Sequence, residues 1–453
     1  MVNSGAVKGG AHRQIVDEEA CGTDRMRGMF TPPATDSSAP KFPFARTCPF
    51  DPPPQVAAAR AAGAVCPVTL WNGKRAWLVT RHEEIRAVLA DDQRFSGAMA
   101  HPEFPAITPA RVKVDQNERA FVGMDNPAHD VYRRMFTREF SVRRMQALKP
   151  QISAIAERLL DAMEAHGPPA DLVAMLAVKF PSLVMSALFG SPFEDHEFII
   201  RCAAARHGLT QSPGEAESKA RELTAYVRRL IDTKEAALAM AAGAREARAA
   251  TAATASEPPD DMVTRILSEH VLTGKLSRDD FAEIGAMILR AGHDTTTNMI
   301  GMGTLLLLQN DALRRQLTDD PSLIEGAVEE LLRHVSPVQF SPRRVTLEDV
   351  EIGGVTIPKG EGLFMLLGSA NRDERVFERP DELDFHRDAS AHLSFSFGIH
   401  QCLGQMLARY ELHIVYAAIL RRFPGLRLAV PLEEIRFKHD MQIYGVHNLP
   451  VAW

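Results

Sequence analysis

Apolar positions recur with helical spacing over most of the chain, and only short stretches alternate as strands do. An Asn-Gly pair at positions 72 and 73 between two apolar runs, Val68–Trp71 and Ala76–Thr80, predicts a β-hairpin. Short β patterns recur over Glu351–Ile357 and after Ile435. Strands and helices do not alternate as βαβ units, so we expect a mainly α fold with a small β portion. The predicted helices cover Glu83–Ala90, Val131–Phe140, Met145–His166, Asp195–Ala205, Glu215–Ala241, Asp279–Gln309, Pro321–Val335 and Leu403–Phe423.

The two ends of the chain differ in composition. Residues 1–40 are rich in Gly, Ala, Ser, Thr and Pro without a sustained period, which is typical of a mobile leader. Patterned sequence begins near Cys48, so we expect one domain over residues 48–453. An alanine-rich segment, residues 241–256, carries no chemistry that we can name.

Composition narrows the class of protein. The net charge of -6 gives no indication of nucleic-acid binding. No stretch reaches the roughly 20 apolar residues that cross a bilayer, so we expect a cytoplasmic protein without a membrane anchor. The five cysteines are odd in number, scattered and free of CxxC pairs, which argues against a disulfide framework or a zinc site.

One cysteine, Cys402, stands in a loop whose residue types suggest chemistry. An amphipathic helical pattern starts directly after it, so the helix dipole should favour a thiolate with a lowered pKa. Gly398 permits a tight turn with positive φ, and Gly404 lets a flat cofactor approach the backbone. The alternative is a buried cysteine that caps a helix.

A second candidate segment lies about a hundred residues upstream, in the predicted helix 279–309. Met287, Ala291 and Thr295 share one stripe of that helix. Gly292 lowers helix propensity but leaves room for something bulky beside the backbone. Asp294 and Thr295 place an acid and an alcohol next to this room, which suits proton relay.

The cysteine loop, from Phe395 through Gly398 and His400 to Cys402 and Gly404, resembles the signature of the cytochrome P-450 family. The Ala-Gly-x-Asp-Thr-Thr run over residues 291–296 is similar to that family's oxygen-binding groove. The resemblance implies a single large fold, with haem b between the long central helix and the cysteine-loop helix. It further implies that Cys402 ligates the iron and that His400 contacts a haem propionate.

The same resemblance assigns supporting residues. Glu330-Leu-Leu-Arg333 is similar to the family's buried ExxR pair, with Arg387 as the third member of its network. His129, Arg133 and Arg344 match propionate-binding positions, Arg344 better than Arg343. It also implies that Asp294 and Thr295 deliver protons.

Arg290 departs from the family pattern, which usually has an aliphatic residue there. One interpretation is an ion pair with Asp294, four residues away on the same helix. The other is that Arg290 reaches the cavity and pairs with an acidic or polar substrate. The remaining candidate substrate contacts are Met287, Val338 and Met441.

The implied activity is that of a monomeric class I monooxygenase. It would hydroxylate or epoxidise a small molecule such as a secondary metabolite, macrolide, sterol or xenobiotic, using O₂ and electrons from an iron–sulfur ferredoxin and its reductase. A basic run could receive the acidic ferredoxin. The alternatives are a peroxygenase or nitric oxide reductase, which the Asp294–Thr295 pair argues against, and a non-catalytic haem sensor. The run comprises Arg133, Arg134, Arg138, Arg143 and Arg144.

Overall fold

The computed structural model describes residues 39–204, 213–249, 260–439 and 441–453, and the element bounds below refer to them. The helices are α1 Pro54–Ala62, α2 His82–Ala90, α3 Pro109–Gln116, α4 Ala128–Thr137, α5 Val142–His166, α6 Lys179–Phe189, α7 His196–Ala204, α8 Pro213–Ala249, α9 Met262–Ile266, α10 Arg278–Gln309, α11 Asp311–Asp319, α12 Ile324–Val335, α13 Leu367–Ala370 and α14 Gln405–Arg422. The strands are β1 Val65–Thr69, β2 Arg75–Val79, β3 Phe95–Ser96, β4 Ala170–Asp171, β5 Arg343–Thr346, β6 Val350–Ile352, β7 Val355–Ile357, β8 Gly362–Met365, β9 Arg427–Leu428 and β10 Pro450–Ala452.

Helix α10 runs through the middle of the helical body and packs against α6, α7, α8 and α14. Ser277 caps its first turn by accepting a hydrogen bond from the Asp280 amide. At Gly303 a Cβ would lie 2.0 Å from the Tyr416 hydroxyl, so the glycine allows α14 to approach closely. The Tyr416 hydroxyl donates to the Met299 carbonyl at 2.5 Å, and α10 and α14 are thereby held together.

A mixed sheet flanks the helices, with its strands in the order β1-β2-β8-β5-β3. Strands β1 and β2 are antiparallel, and Gly73 has the positive φ of 77° that their turn requires. The predicted hairpin is therefore confirmed, with each strand displaced slightly toward the N-terminus. Strands β6 and β7 form the predicted short pair, and β4, β10 and β9 form a small third sheet.

The predicted mainly α fold class is confirmed, and most predicted helices have their ends within three residues of the observed ones. Helix α8 extends to Ala249, and the remainder of the alanine-rich segment lies outside the described residues, as does the predicted leader up to residue 38. Helix α6 was missed because nearly all of its side chains are buried, so it has no amphipathic period. No described helix combines the length and hydropathy needed to cross a membrane.

Candidate active site

A cavity of about 340 Å³ separates α10 from the cysteine loop. Its walls come mainly from α10, the cysteine loop and α14, together with β5 and the segment between α3 and α4. Residues from the two predicted motifs thus face one space. The wall residues include Phe121, Val122, Met287, Ala291, Gly292, Thr295, Val338, Arg344, Phe395, His400, Cys402 and Gly404.

The cysteine loop is closed by backbone contacts that set the position of Cys402. The Cys402 amide donates to the Phe395 carbonyl at 2.9 Å, and Gly398 has a φ of 73°. A Cβ at Gly398 would lie 2.0 Å from the Leu89 carbonyl oxygen, so only glycine fits this turn. A Cβ at Gly404 would meet nothing nearer than Phe140, at 3.9 Å, and the cavity is open beside that backbone.

The polypeptide around Cys402 does not by itself favour a thiolate. Helix α14 begins at Gln405, so Cys402 lies before the helix rather than in its first turn. The Cys402 side chain is accessible from the cavity, but enclosure by the surrounding protein raises its pKa; the Gly404 amide and the Arg133 and Arg409 charges oppose that effect without overcoming it. The predicted lowering of this pKa is wrong for the protein groups alone. Coordination to a metal cation would deprotonate the thiol outright.

Three basic side chains meet at one edge of the cavity: His400 and Arg344 line it, and His129 packs against His400. The His129 and His400 rings are 4.5 Å apart, and a Cβ at Gly97 would lie 3.0 Å from His400 Nε2 and 3.3 Å from Arg344 Nη1. Nε2 of both histidines is buried without a hydrogen-bond partner among the described residues. Burial and the charges of Arg344, His129 and Arg133 lower the pKa of His400 to about 2, and burial lowers that of Arg344 to about 10. Each Nε2 can donate only from a protonated ring; an anionic group placed beside these side chains would favour that form and would supply the missing hydrogen-bond partner.

The neighbouring arginines serve other contacts. Arg133 Nη2 donates to the Gln401 carbonyl at 2.7 Å, directly before Cys402. Arg343 points away from the histidines and donates to Asp115 at 2.7 Å and to the Pro105 carbonyl at 2.8 Å. The structure therefore brings Arg344, and not Arg343, to the histidine pair.

On α10 the structure separates the members of the predicted proton-relay motif. Thr295 lines the cavity, and its hydroxyl donates to the Ala291 carbonyl at 3.1 Å. Asp294 is not among the wall residues; its carboxylate is 3.7 Å from His293 Nε2. The room expected at Gly292 is filled by Met185 of α6, whose sulfur would be 2.6 Å from a Cβ at that glycine.

Only some of the predicted substrate contacts lie in the cavity wall. Met287 and Val338 line the cavity, whereas Arg290 and Met441 are not among its wall residues. The carbonyl of Met441 accepts a hydrogen bond from Gln339. The Arg290 guanidinium is 3.2 Å from the Glu118 carboxylate, a partner that neither interpretation of Arg290 included.

The ExxR pair is completely buried. Arg333 forms two hydrogen bonds to the Glu330 carboxylate, each at 2.7 Å, and both side chains are 0% exposed. Arg387 also donates to Glu330, at 3.2 Å. Arg333 further donates to the carbonyls of Asn371, Pro380 and Glu382. The network anchors the irregular chain that leads to the cysteine loop.

Glu411 is a cavity residue that the sequence reasoning missed. It lies on α14 nine residues after Cys402, is 1% exposed and lines the cavity. Burial raises its pKa to about 8, opposed by a hydrogen bond with Thr296. In the sequence, Glu411 is visible only as an acidic residue among the apolar positions of a helix, which does not by itself indicate a cavity residue.

Replacing Glu411 by glutamine is expected to change the pH dependence of stability. An unfolded glutamate titrates near pH 4.3, so between about pH 4.3 and 8 the native protein binds more protons and loses stability as pH rises. The variant should lack this loss, so its stability relative to that of the parent should rise by ~5 kcal/mol between pH 4 and pH 8. Urea unfolding at pH 5 and pH 9 measures it, with the exposed Glu194→Gln as control. Parallel pH curves for parent and variant would contradict the expectation.

The comparisons with known proteins show which family this fold and this cavity belong to. Residues 62–438 match the family model described as cytochrome P-450. Pentalenic acid synthase of Streptomyces avermitilis is 40% identical over 93% of this chain and 100% of its own length. The 20-oxo-5-O-mycaminosyltylactone 23-monooxygenase of Streptomyces fradiae is 37% identical over 94% of this chain and 98% of its own. A crystal structure of CYP105P1 in complex with filipin I has a TM-score of 0.79 at 40% identity, over 92% of this chain and 99% of that one.

The chain belongs to the cytochrome P-450 family and is an oxidoreductase, with haem as the cofactor that the family implies. The residues present fit that group. Cys402 and Gly404 line the cavity, and so does His400, whose Nε2 has no hydrogen-bond partner among the described residues.

Proposed function

We propose that this protein is a ferredoxin-dependent monooxygenase that oxidises a largely apolar secondary metabolite, with macrolides as the leading class. The observation that carries the proposal is the placement of Cys402 and Thr295 on facing walls of one cavity. The relative named 20-oxo-5-O-mycaminosyltylactone 23-monooxygenase and the related structure with filipin I support the substrate class. We further propose that the enzyme acts as a cytoplasmic monomer.

Haem b would be held by Cys402 at the iron and by His129, His400 and Arg344 at the propionates. When bound, it supplies the activation of dioxygen, and a thiolate ligand favours cleavage of the O–O bond. The polypeptide supplies the rest: Met287 and Val338 present apolar surface to the substrate, and the Thr295 hydroxyl holds a proton at the cavity wall.

The reaction class is tested by supplying electrons in two ways. With NADPH, ferredoxin reductase and ferredoxin, the haem-loaded protein is expected to consume NADPH in proportion to hydroxylated or epoxidised product. Product formed only with hydrogen peroxide would favour a peroxygenase. The absence of product with either the ferredoxin system or hydrogen peroxide would favour a haem sensor. A haem spin shift on adding library compounds would identify the substrate first.

Replacing Thr295 by alanine is expected to uncouple the reaction. The cavity would lose a hydroxyl that can donate a proton, so more reducing equivalents should leave as hydrogen peroxide and product yield should fall by about 100-fold. Asp294 lies outside the cavity wall, so it does not face the cavity directly as Thr295 does. Asp294→Asn should therefore slow turnover but release less hydrogen peroxide than Thr295→Ala. Thr297→Ala, at a buried threonine on the same helix, is the control. Unchanged coupling in Thr295→Ala would contradict the proposed role.

Three of the five arginines in the basic run are available to a partner. Arg134, Arg138 and Arg143 are exposed, whereas Arg133 faces the cavity and Arg144 is half-buried near Glu139. Reversing charge at Arg138 and Arg143 is expected to raise the ferredoxin concentration for half-maximal turnover by about tenfold at low salt. The effect should fade as ionic strength rises. Reversal at the exposed Arg427 serves as control, and equal effects at both places would exclude this docking face.

A further inference from the structure

A buried ion pair joins the central helix to the segment between α3 and α4. Arg290 Nη2 donates to Glu118 Oε2 at 3.2 Å, and the two side chains are only 10% and 6% exposed. The residues are 172 positions apart in sequence. Arg290 directly precedes Ala291, which lines the cavity, so the pair lies immediately behind the cavity wall.

Glu118 is fixed by its own surroundings as well as by Arg290. Its amide donates to the Asp115 carbonyl at 3.0 Å, and its Oε1 accepts from the Ala120 amide at 3.2 Å. A Cβ at Gly123 would lie 3.1 Å from Glu118 Cγ, so the glycine leaves room for the glutamate side chain. One carboxylate thus organises residues 117–123 and connects them to α10.

The segment organised by Glu118 is part of the cavity wall. Phe121 and Val122 both line the cavity. The Gly123 carbonyl accepts from the amide of Met99, another wall residue, at 3.2 Å. Movement of residues 117–123 away from α10 would therefore open the cavity on this side.

A buried ion pair makes such movement a two-state event. Partial separation inside the protein would leave two poorly solvated charges, which is strongly unfavourable. Full separation lets water hydrate both groups. The closed state, with the pair formed, and the open state, with both groups in water, are thus favoured over intermediate positions.

We propose that the Arg290–Glu118 ion pair is a latch that holds residues 117–123 against α10 and limits the size of ligand that reaches the cavity. The inference rests on the proposed function only in using haem iron to report ligand binding. Arg290 therefore limits the size of the ligand by holding the cavity wall in place, and it does not contact the ligand itself.

The test removes both charges together in Arg290→Met/Glu118→Gln, because either single change would leave the other charge buried. Two iron-binding probes are compared by stopped-flow absorbance: imidazole, which is small, and clotrimazole, which is bulky. Clotrimazole association is expected to be about tenfold faster in the double variant, because loss of the ion pair should raise the equilibrium constant for opening about tenfold. Imidazole association should change less than twofold.

Lys234→Met/Asp261→Asn is the matched control. That pair is similarly buried, at 13% and 7% exposure, but neither residue is in the cavity wall. Asparagine can keep the cap on the Thr264 amide. Unchanged clotrimazole rates in the latch variant, or equal acceleration of imidazole or of the control protein, would overturn the proposal.

A second measurement does not depend on haem. Hydrogen exchange at the amides of residues 118–124 is expected to be faster in the latch variant than in the parent or the control. Unchanged exchange would exclude the latch even if haem binds as proposed. Faster exchange in a protein that takes up no haem would retain the latch and reject the proposed function.

Discussion

Replacing Cys402 by serine is expected to abolish both the thiolate-type CO spectrum and oxygenation of substrate. A serine hydroxyl does not supply the anionic sulfur that donates electron density to iron and favours O–O cleavage. The geometry of the loop should survive, because the Cys402 amide contact to Phe395 and the Gly398 turn do not involve the sulfur. The measurement is the dithionite–CO difference spectrum together with product formation.

The control for this substitution is Cys202→Ser. Cys202 is buried in α7 and lies outside the cavity wall, so its replacement tests whether loss of any buried thiol disturbs the protein. That variant should keep the spectrum and the activity. A Cys402→Ser protein with the parent's CO band and turnover would show that the iron is held elsewhere.

The residues around Cys402 show how far sequence reasoning extends. The turn at Gly398 was predictable because positive φ and the lack of a side chain are local requirements. The pKa of Cys402 was not, because it depends on burial by segments distant in sequence, and burial outweighs the contribution of the Gly404 amide.

Helix α10 also shows that contacts between residues distant in sequence could not be predicted. Its helical period was visible in the sequence, and so was the unusual Arg290. Its partner Glu118 was not visible, since the pair spans 172 residues and is created by packing of the α3–α4 segment. Likewise, nothing near Gly292 indicated that Met185 of α6 would occupy its free space. Local conformation is encoded locally, whereas the occupants of a site are set by the tertiary fold.

Replacing Arg333 by methionine is expected to be the most destabilising single change outside the cysteine loop. The variant would leave the fully buried Glu330 carboxylate without the two hydrogen bonds that Arg333 donates. Among the residues that the structure describes, only Arg387 and the Asp384 amide would still donate to Glu330 Oε1. Removing one partner of a buried pair costs about 3–5 kcal/mol, to be measured from urea unfolding midpoints.

The chain offers a matched control in Arg379→Met. Arg379 and Glu382 have the same three-residue spacing and the same 2.7 Å contact, but they are 57% and 61% exposed. Water already solvates both charges, so the control should leave the unfolding free energy nearly unchanged. Arg333→Met should also bind haem weakly, because the carbonyls of Asn371 and Pro380 that Arg333 holds lie on the chain leading to the cysteine loop. Equal losses in the two variants would contradict the prediction, because they would show that burial does not determine how much the Arg333–Glu330 pair contributes to stability.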